Sequence, residues 1–174
     1  SIFFRNTYYI GYWQAYRYVL DTKFKLKENQ ILINILIKDK ILCSNAVSIG
    51  IRRGDYVNLK SVICDVDYYK KAINLINKKI DNPVYYIFSD DIEWCRRNIT
   101  FSNKHFFVEA NKDTPFENMQ LMSLCKHNII SNSTYDWWGA FLNKNKQKIV
   151  ICSKAWKPKE SKKMKLIPNE WIKI

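Results

Sequence analysis

Short apolar segments alternate with amphipathic segments along the chain from Val47 onward. This alternation is typical of a parallel β-sheet wrapped by α-helices, because each parallel strand needs a crossover connection before the next one. The sequence therefore predicts an α/β fold with a Rossmann-like parallel sheet flanked by helices. The predicted strands are residues 46–51, 84–88, 105–108, 128–130 and 149–152.

The clearest helical pattern follows Asp67, which we expect to be the N-cap. The apolar residues that recur there at helical spacing are Tyr69, Ala72, Ile73, Ile76 and Ile80. Further helices are predicted over IEWCRRNI, from Pro115 onward, and over YDWWGAFLN. In the helix that Pro115 opens, the apolar stripe consists of Phe116, Met119, Met122 or Leu121, and Cys125, and we expect it to pack in the core.

The first 45 residues are less regular. Residues 12–20 have a helical and aromatic pattern, whereas residues 31–36 fit either a strand or a helix. We expect residues 1–45 to be a lead-in segment that packs on a domain formed by residues 46–174. The apolar run 31–37 is interrupted by Asn34 and is shorter than the roughly 20 residues that cross a bilayer. No signal-peptide pattern is visible, and the start without Met leads us to expect a preceding portion.

Composition narrows the class of protein. The chain has 174 residues, of which 47% are hydrophobic, so it can bury a sizeable core. Its five cysteines are widely spaced without a Cys-x-x-Cys pair, which favours reduced, buried thiols in a cytosolic protein over disulfides or a zinc site. With 4 glycines it lacks a Gly-x-Gly-x-x-Gly or Walker loop, which disfavours dehydrogenases and P-loop enzymes.

The net charge of +13 has two interpretations. Many lysines stand beside Asn and Ile, as in KFKLKENQ and LNKNKQK, which favours an ordinary solvated basic surface. The alternative is attraction to an anionic partner, which could be a substrate, a membrane surface or a nucleic acid. Charge by itself does not separate these possibilities.

Polar motifs follow three of the predicted strands: Arg52-Arg53-Gly54-Asp55, Ser89-Asp90-Asp91, and Ser131-Asn132-Ser133-Thr134. The carboxyl ends of parallel strands lie at one edge of a sheet, and ligands of doubly wound folds bind there. We therefore expect the three motifs to face a single cleft.

The two arginines are the strongest candidates for anion binding, because a guanidinium presents a planar fork of donors that suits phosphate. Neighbours in a strand alternate faces, so Arg52 and Arg53 point the same way only if the chain turns, which Gly54 permits. Asp55 could then orient one guanidinium. The alternative is a surface ion pair between Arg53 and Asp55, and an adhesion role for Arg-Gly-Asp is weaker still.

The other two motifs each allow more than one role. Ser133 or Thr134 could bind an anion at a helix N-terminus or could simply cap the helix. Asp90 and Asp91 could accept hydrogen bonds from a base or sugar, stabilise the first turn of a helix, or bind a metal. Trp137 and Trp138 are expected to anchor the core.

Taken together, the motifs IRRGDYV, YYIFSDD, NMQLMSLCKHNIISNSTYDWWGAFLN and LIPNEWIKI resemble the alpha-1,2-fucosyltransferase family, glycosyltransferase family 11. The resemblance covers residues 47–174, and GYWQAYRYVL is similar to the segment that precedes the family's donor domain. It implies a GT-B enzyme with two Rossmann-like domains, of which this chain is the C-terminal donor-binding one. It also implies a GDP-fucose donor, no metal or other cofactor, no nucleic-acid partner, and inverting transfer to the 2-hydroxyl of a terminal galactose on a glycan acceptor.

The same resemblance assigns roles to the strand-end residues. Arg52 would be the catalytic residue, holding the donor phosphate and stabilising the leaving GDP, with Arg53 and Asp55 in support. Asp90 or Asp91 would lie near the nucleoside. The residues expected near the phosphates or the fucose are Ser131, Ser133 and Thr134.

The chain departs from the family pattern at three places. Gly50 stands where the family usually has His, and Asp136 stands where it commonly has Ser before Trp-Trp. Asp136 could perturb the donor pocket or could simply face solvent. A Gly-rich stretch similar to GGLGNQMFQYA is not in this sequence, so we expect the family's acceptor domain to be largely outside the chain. The alternatives to an enzyme are a non-catalytic GDP-sugar or glycan-binding module and a basic nucleic-acid-binding domain. We expect a cytoplasmic location, with peripheral association at the inner membrane face through the basic surface.

Overall fold

A computed structural model describes residues 19, 35–58, 64–109, 115–154, 156 and 166–174. These residues form a six-stranded sheet in the order β3-β2-β1-β4-β5-β6, in which every neighbouring pair is parallel. This confirms the predicted Rossmann-like α/β class. The strands are β1 (Asn45–Ile51), β2 (Pro83–Ser89), β3 (His105–Val108), β4 (His127–Ile129), β5 (Val150–Cys152) and β6 (Ile172–Lys173).

The helices of the described residues lie on both faces of the sheet. They are α1 (Ile35–Leu42), α2 (Gly54–Asn58), α3 (Val66–Asn77), α4 (Ile92–Asn98), α5 (Pro115–Leu124) and α6 (Thr134–Phe141). The ambiguous segment 31–36 thus enters a helix at Ile35, and Ile41 packs beside Leu121. The helix predicted over 12–20 lies outside the described residues, apart from Val19.

Strand β1 is the centre of the fold and is buried on both faces. Its odd-numbered residues from Val47 to Ile51 pack with Tyr69 of α3, whereas Ala46 packs with Met122 of α5 on the opposite face. Burial on both sides is the usual state of a parallel strand under crossover helices. The same alternation places Gly50 on the α5 and α6 side of the sheet, against Asp136.

Helix α3 begins earlier than its sequence pattern predicts. Its N-cap is Asp65, whose Oδ1 accepts a hydrogen bond of 2.8 Å from the backbone N–H of Tyr68. The prediction that Asp67 caps this helix is wrong, because Asp67 already lies in the first turn. The predicted apolar face is correct from Tyr69 to Ile76, and Ile80 follows the helix in a turn.

The remaining predictions hold with small shifts. Strand β3 has the predicted bounds, and β4 lies one residue earlier than predicted.

In α5, Met122 is buried but Phe116 is 39% exposed, so the predicted stripe covers the core only in part. Trp137 is buried and Trp138 packs against the same cluster. In the tail, Trp171 is buried and β6 completes the sheet. All five cysteines are thiols, and four are buried.

Candidate functional site

The three strand-end motifs meet in one cleft of about 450 Å³ at the carboxyl edge of the sheet. It opens beside the point where strand order reverses, with β1 between β2 and β4. Topological switch points of this kind are where doubly wound folds bind their ligands. The sequence-predicted residues that line the cleft are Arg52, Asp55, Asp90, Ser133 and Thr134. The other predicted residues, Arg53, Asp91 and Ser131, lie next to it but do not line it.

Arg52 projects into the cleft between two carboxylates. Its Nη2 lies 2.6 Å from Oδ1 of Asp55, and its Nη1 lies 2.8 Å from Oδ2 of Asp90. Burial lowers the pKa of Arg52, but the nearby carboxylates of Asp90 and Asp55 outweigh it and raise the pKa above its usual value. The side chain stays 40% exposed. The site therefore presents an oriented, permanently charged guanidinium to whatever occupies the cleft.

Arg53 points elsewhere. Its guanidinium carbon lies 3.9 Å from the centre of the Trp94 ring, and its Nε lies 3.4 Å from Oδ2 of Asp91. The backbone N–H of Arg53 donates to Oδ1 of Asp90 at 2.9 Å. The side chains of the two arginines, which follow the last residue of β1, thus diverge. Asp55 pairs with Arg52 and not with Arg53, so the alternative ion pair drawn from the sequence is wrong.

Asp90 and Asp91, the two acidic residues after β2, make different contacts, and their sequence pattern had left their roles open. Asp90 faces the cleft and Arg52. Asp91 is the N-cap of α4, where its Oδ1 accepts a hydrogen bond of 3.0 Å from the backbone N–H of Trp94. Among the described residues, no group of three or more His, Cys, Asp or Glu is placed to hold a metal ion.

The loop after β4 also combines capping with access to the cleft. Ser133 is the N-cap of α6, and its Oγ accepts a hydrogen bond of 3.2 Å from the backbone N–H of Tyr135. Thr134 is exposed at the rim, whereas Ser131 is fully buried below it. Ser133 caps α6 and also lines the cleft, so the capping role does not prevent it from contacting a ligand there.

Asp136, a departure from the family pattern, lines the cleft, so the alternative that it faces solvent is wrong. It lies in the first turn of α6, is 5% exposed, and accepts hydrogen bonds at Oδ2 from Oγ of Ser131 and, at 3.1 Å, from its N–H. Burial raises its pKa to about 6, and the bonds from Ser131 oppose that rise. Three other polar lining residues, Tyr56, Asn118 and Tyr135, were not predicted as site residues. Tyr56 follows Asp55 directly, a position that could have indicated it.

The fold and this cleft define a class of protein. It is an α/β domain whose cleft, at the topological switch point of the sheet, contains the oriented guanidinium of Arg52. The sequence model of Glycosyl transferase family 11 matches residues 3–174, and the chain belongs to that family. No solved structure matches it.

Curated relatives agree with this membership. The chain is 39% identical to an alpha-1,2-colitosyltransferase from Escherichia coli, over 95% of this chain and 62% of the relative. It is 38% identical to the O-antigen biosynthesis glycosyltransferase WbnK from Escherichia coli, over 84% of this chain and 52% of the relative. It is 33% identical to the galactoside 2-alpha-L-fucosyltransferase Sec1 of Mus musculus, over 57% of this chain and 29% of the relative. The chain therefore spans about half to three fifths of the two bacterial relatives.

Proposed function

We propose that this chain is the donor-binding part of an enzyme that transfers L-fucose from GDP-fucose to the 2-hydroxyl of a terminal galactose on a glycan, with inversion. The observation that carries the proposal is Arg52, held by Asp55 and Asp90 inside the switch-point cleft. Family membership and a fucosyltransferase among the relatives support the same reaction.

The proposed role of Arg52 follows from how charge moves in such a reaction. As the bond between the sugar and the diphosphate breaks, negative charge grows on the departing GDP and positive charge grows on the sugar. A fixed guanidinium therefore stabilises the transition state more than the ground state. The N-terminus of α6, beside Ser133 and Thr134, adds a second source of positive potential through the helix dipole.

In this proposal the positive charge that stabilises the departing GDP is the Arg52 guanidinium, so the reaction needs no metal ion. Chelation tests this point directly. Turnover measured in excess EDTA should equal turnover without it, whereas loss of activity that added Mg²⁺ restores would contradict the metal-free part of the proposal.

Binding of GDP measured by calorimetry tests the site. We expect the chain to bind GDP and Arg52→Ala to weaken binding by at least about tenfold, roughly 1.4 kcal/mol. Arg52→Lys is the matched control, because it keeps the charge and loses the planar fork, and an intermediate affinity is expected. Oligonucleotide binding that disappears in moderate salt, together with no response to GDP, would instead support the nucleic-acid alternative.

Turnover separates an enzyme from a non-catalytic GDP-sugar or glycan-binding module. We expect GDP release from GDP-fucose in the presence of a galactoside, with a product whose new linkage is alpha-1,2 by NMR. GDP binding without turnover would support the binding module. Because one relative is named a colitosyltransferase, the corresponding colitose donor belongs in the same assay, and a faster rate with it would replace fucose as the transferred sugar.

Association with a membrane surface is a separate proposal, based on the net charge of +13. No helix in the described part of the chain is both long and apolar enough to cross a bilayer. Cosedimentation with vesicles rich in anionic lipid, falling off as salt rises, is the expected result for peripheral association.

A further inference from the structure

Gly50 and Asp136, the two residues at which the site departs from the family pattern, are in direct contact. A Cβ atom added to Gly50 would lie 2.3 Å from the carboxyl carbon of Asp136 and 2.3 Å from its Oδ2. No side chain at position 50 can therefore coexist with the Asp136 carboxyl in this place. A serine at position 136 would be shorter and would free that space. The two departures are thus physically coupled, although they lie on β1 and α6.

The Asp136 carboxyl is buried but not fully satisfied. Its Oδ2 accepts both hydrogen bonds from Ser131, whereas its Oδ1 receives none from the residues that the structure describes. The residue lines the cleft, so Oδ1 is available to a ligand there. Among the described residues, Oδ1 is not one of the buried side-chain atoms that lack a partner, so it is open to the cleft, where it can accept a hydrogen bond from a ligand hydroxyl.

The charged groups around Asp136 limit which part of a ligand it can face. Arg52 approaches from the end of β1 and Asp90 from the end of β2, and the neutral side chain of Tyr56 lines the same cleft. A carboxylate in this position repels a diphosphate. It is favourable beside the sugar joined to the diphosphate, which carries hydroxyl donors and becomes positively charged as its bond breaks.

We propose that Gly50 and Asp136 form an interdependent pair in which Gly50 provides the space and Asp136 accepts a hydrogen bond from a hydroxyl of the transferred sugar. This inference rests on the proposed function, since it requires a nucleotide-sugar donor with its diphosphate near Arg52. It makes Asp136 a contact that determines affinity for the sugar portion of the donor.

Comparison of GDP with GDP-fucose in calorimetry tests the contact. Asp136→Ser is the main variant, because serine is the common family residue here, and Asp136→Asn keeps the size without the charge. With Asp136→Ser, GDP should bind as well as before or more tightly, whereas affinity for GDP-fucose should fall about tenfold relative to GDP. An equal loss for both ligands would show that Asp136 only supports the loop, and no change for either would also overturn the contact.

A double-variant cycle tests the pairing itself. Gly50→His should lower GDP affinity sharply, because the imidazole and the Asp136 carboxyl compete for one space. Gly50→His combined with Asp136→Ser should restore GDP binding beyond what the separate effects predict. Failure of the second change to rescue the first would overturn the pairing. A wild-type chain that binds no GDP would contradict the proposed function, a result distinct from either of these.

Discussion

Nη1 of Arg52 lies 2.8 Å from Oδ2 of Asp90, an ion pair that joins the ends of β1 and β2 at the cleft. The other carboxylate oxygen of Asp90 accepts the backbone N–H of Arg53 at 2.9 Å. Gly54 packs so closely that an added Cβ would lie 2.6 Å from Oδ2 of Asp90. One carboxylate therefore holds both the side chain and the backbone of the double-arginine turn.

Asp90→Ala should accordingly weaken GDP binding far more than Asp55→Ala does. Loss of Asp90 frees the Arg52 side chain and removes the acceptor of the Arg53 N–H, and we expect about a tenfold loss of affinity. Asp55 is 56% exposed, and loss of such a surface pair should change affinity by less than about threefold. Calorimetry at one ionic strength measures both. Equal effects of the two variants would show that Asp90 has no special role.

Arg53→Ala should affect stability more than donor binding. Its guanidinium lies over the Trp94 ring, and removal of a cation–π contact of this kind costs about 1 kcal/mol. We expect a lower urea midpoint and a GDP affinity closer to wild type than that of Arg52→Ala. Arg53→Lys is the control that keeps the charge while losing the planar contact. A loss of GDP affinity as large as that of Arg52→Ala would place Arg53 in the binding site.

Ser133 offers a way to separate capping from binding. Ser133→Ala should destabilise the chain by about 1 kcal/mol, because the N–H of Tyr135 loses its acceptor. Ser133→Asp keeps an acceptor at the N-cap, so the free energy of unfolding should recover. Its charge faces the cleft, and GDP binding should then be weaker than in Ser133→Ala. If Ser133→Asp binds GDP as well as wild type does, the diphosphate does not lie at the start of α6.

Asp136 should make stability depend on pH in a direction opposite to that of a salt-bridged carboxylate. Burial raises its pKa to about 6 in the folded protein, so the folded state holds a proton that the unfolded state releases at lower pH. The free energy of unfolding therefore contains the full favourable contribution of protonated Asp136 below about pH 4, and this contribution is lost as pH rises through 6. A shift of this size corresponds to roughly 3 kcal/mol.

Urea unfolding of wild type and Asp136→Asn between pH 4 and pH 7 measures this effect. The buried His127 has a lowered pKa in both proteins, so its contribution cancels in the difference. We expect wild type to lose stability relative to Asp136→Asn as pH rises from 4 to about 6, with little further change above it. A constant difference across this range would mean that Asp136 titrates at its ordinary pKa.

Much of the fold follows from local sequence patterns. The continuous apolar run at residues 84–88 predicted a strand at the correct place, because a parallel strand buried on both faces needs such a run. The common cleft was predictable for a similar reason, since parallel strands share a carboxyl edge. The N-cap of α3 was misassigned between Asp65 and Asp67, since both acids precede the same apolar pattern and only backbone geometry distinguishes them.

The sequence by itself therefore determined the α/β class, the order of the first five strands along the chain and the edge at which polar residues collect, but not the strand β6. Tertiary structure alone decided that Arg52 enters the cleft while Arg53 packs on Trp94, and that Asp136 occupies the space above Gly50. These outcomes depend on distances of a few ångströms between side chains from different strands and helices. Hydrophobic periodicity and residue type carry no information about such distances, because they describe each element separately.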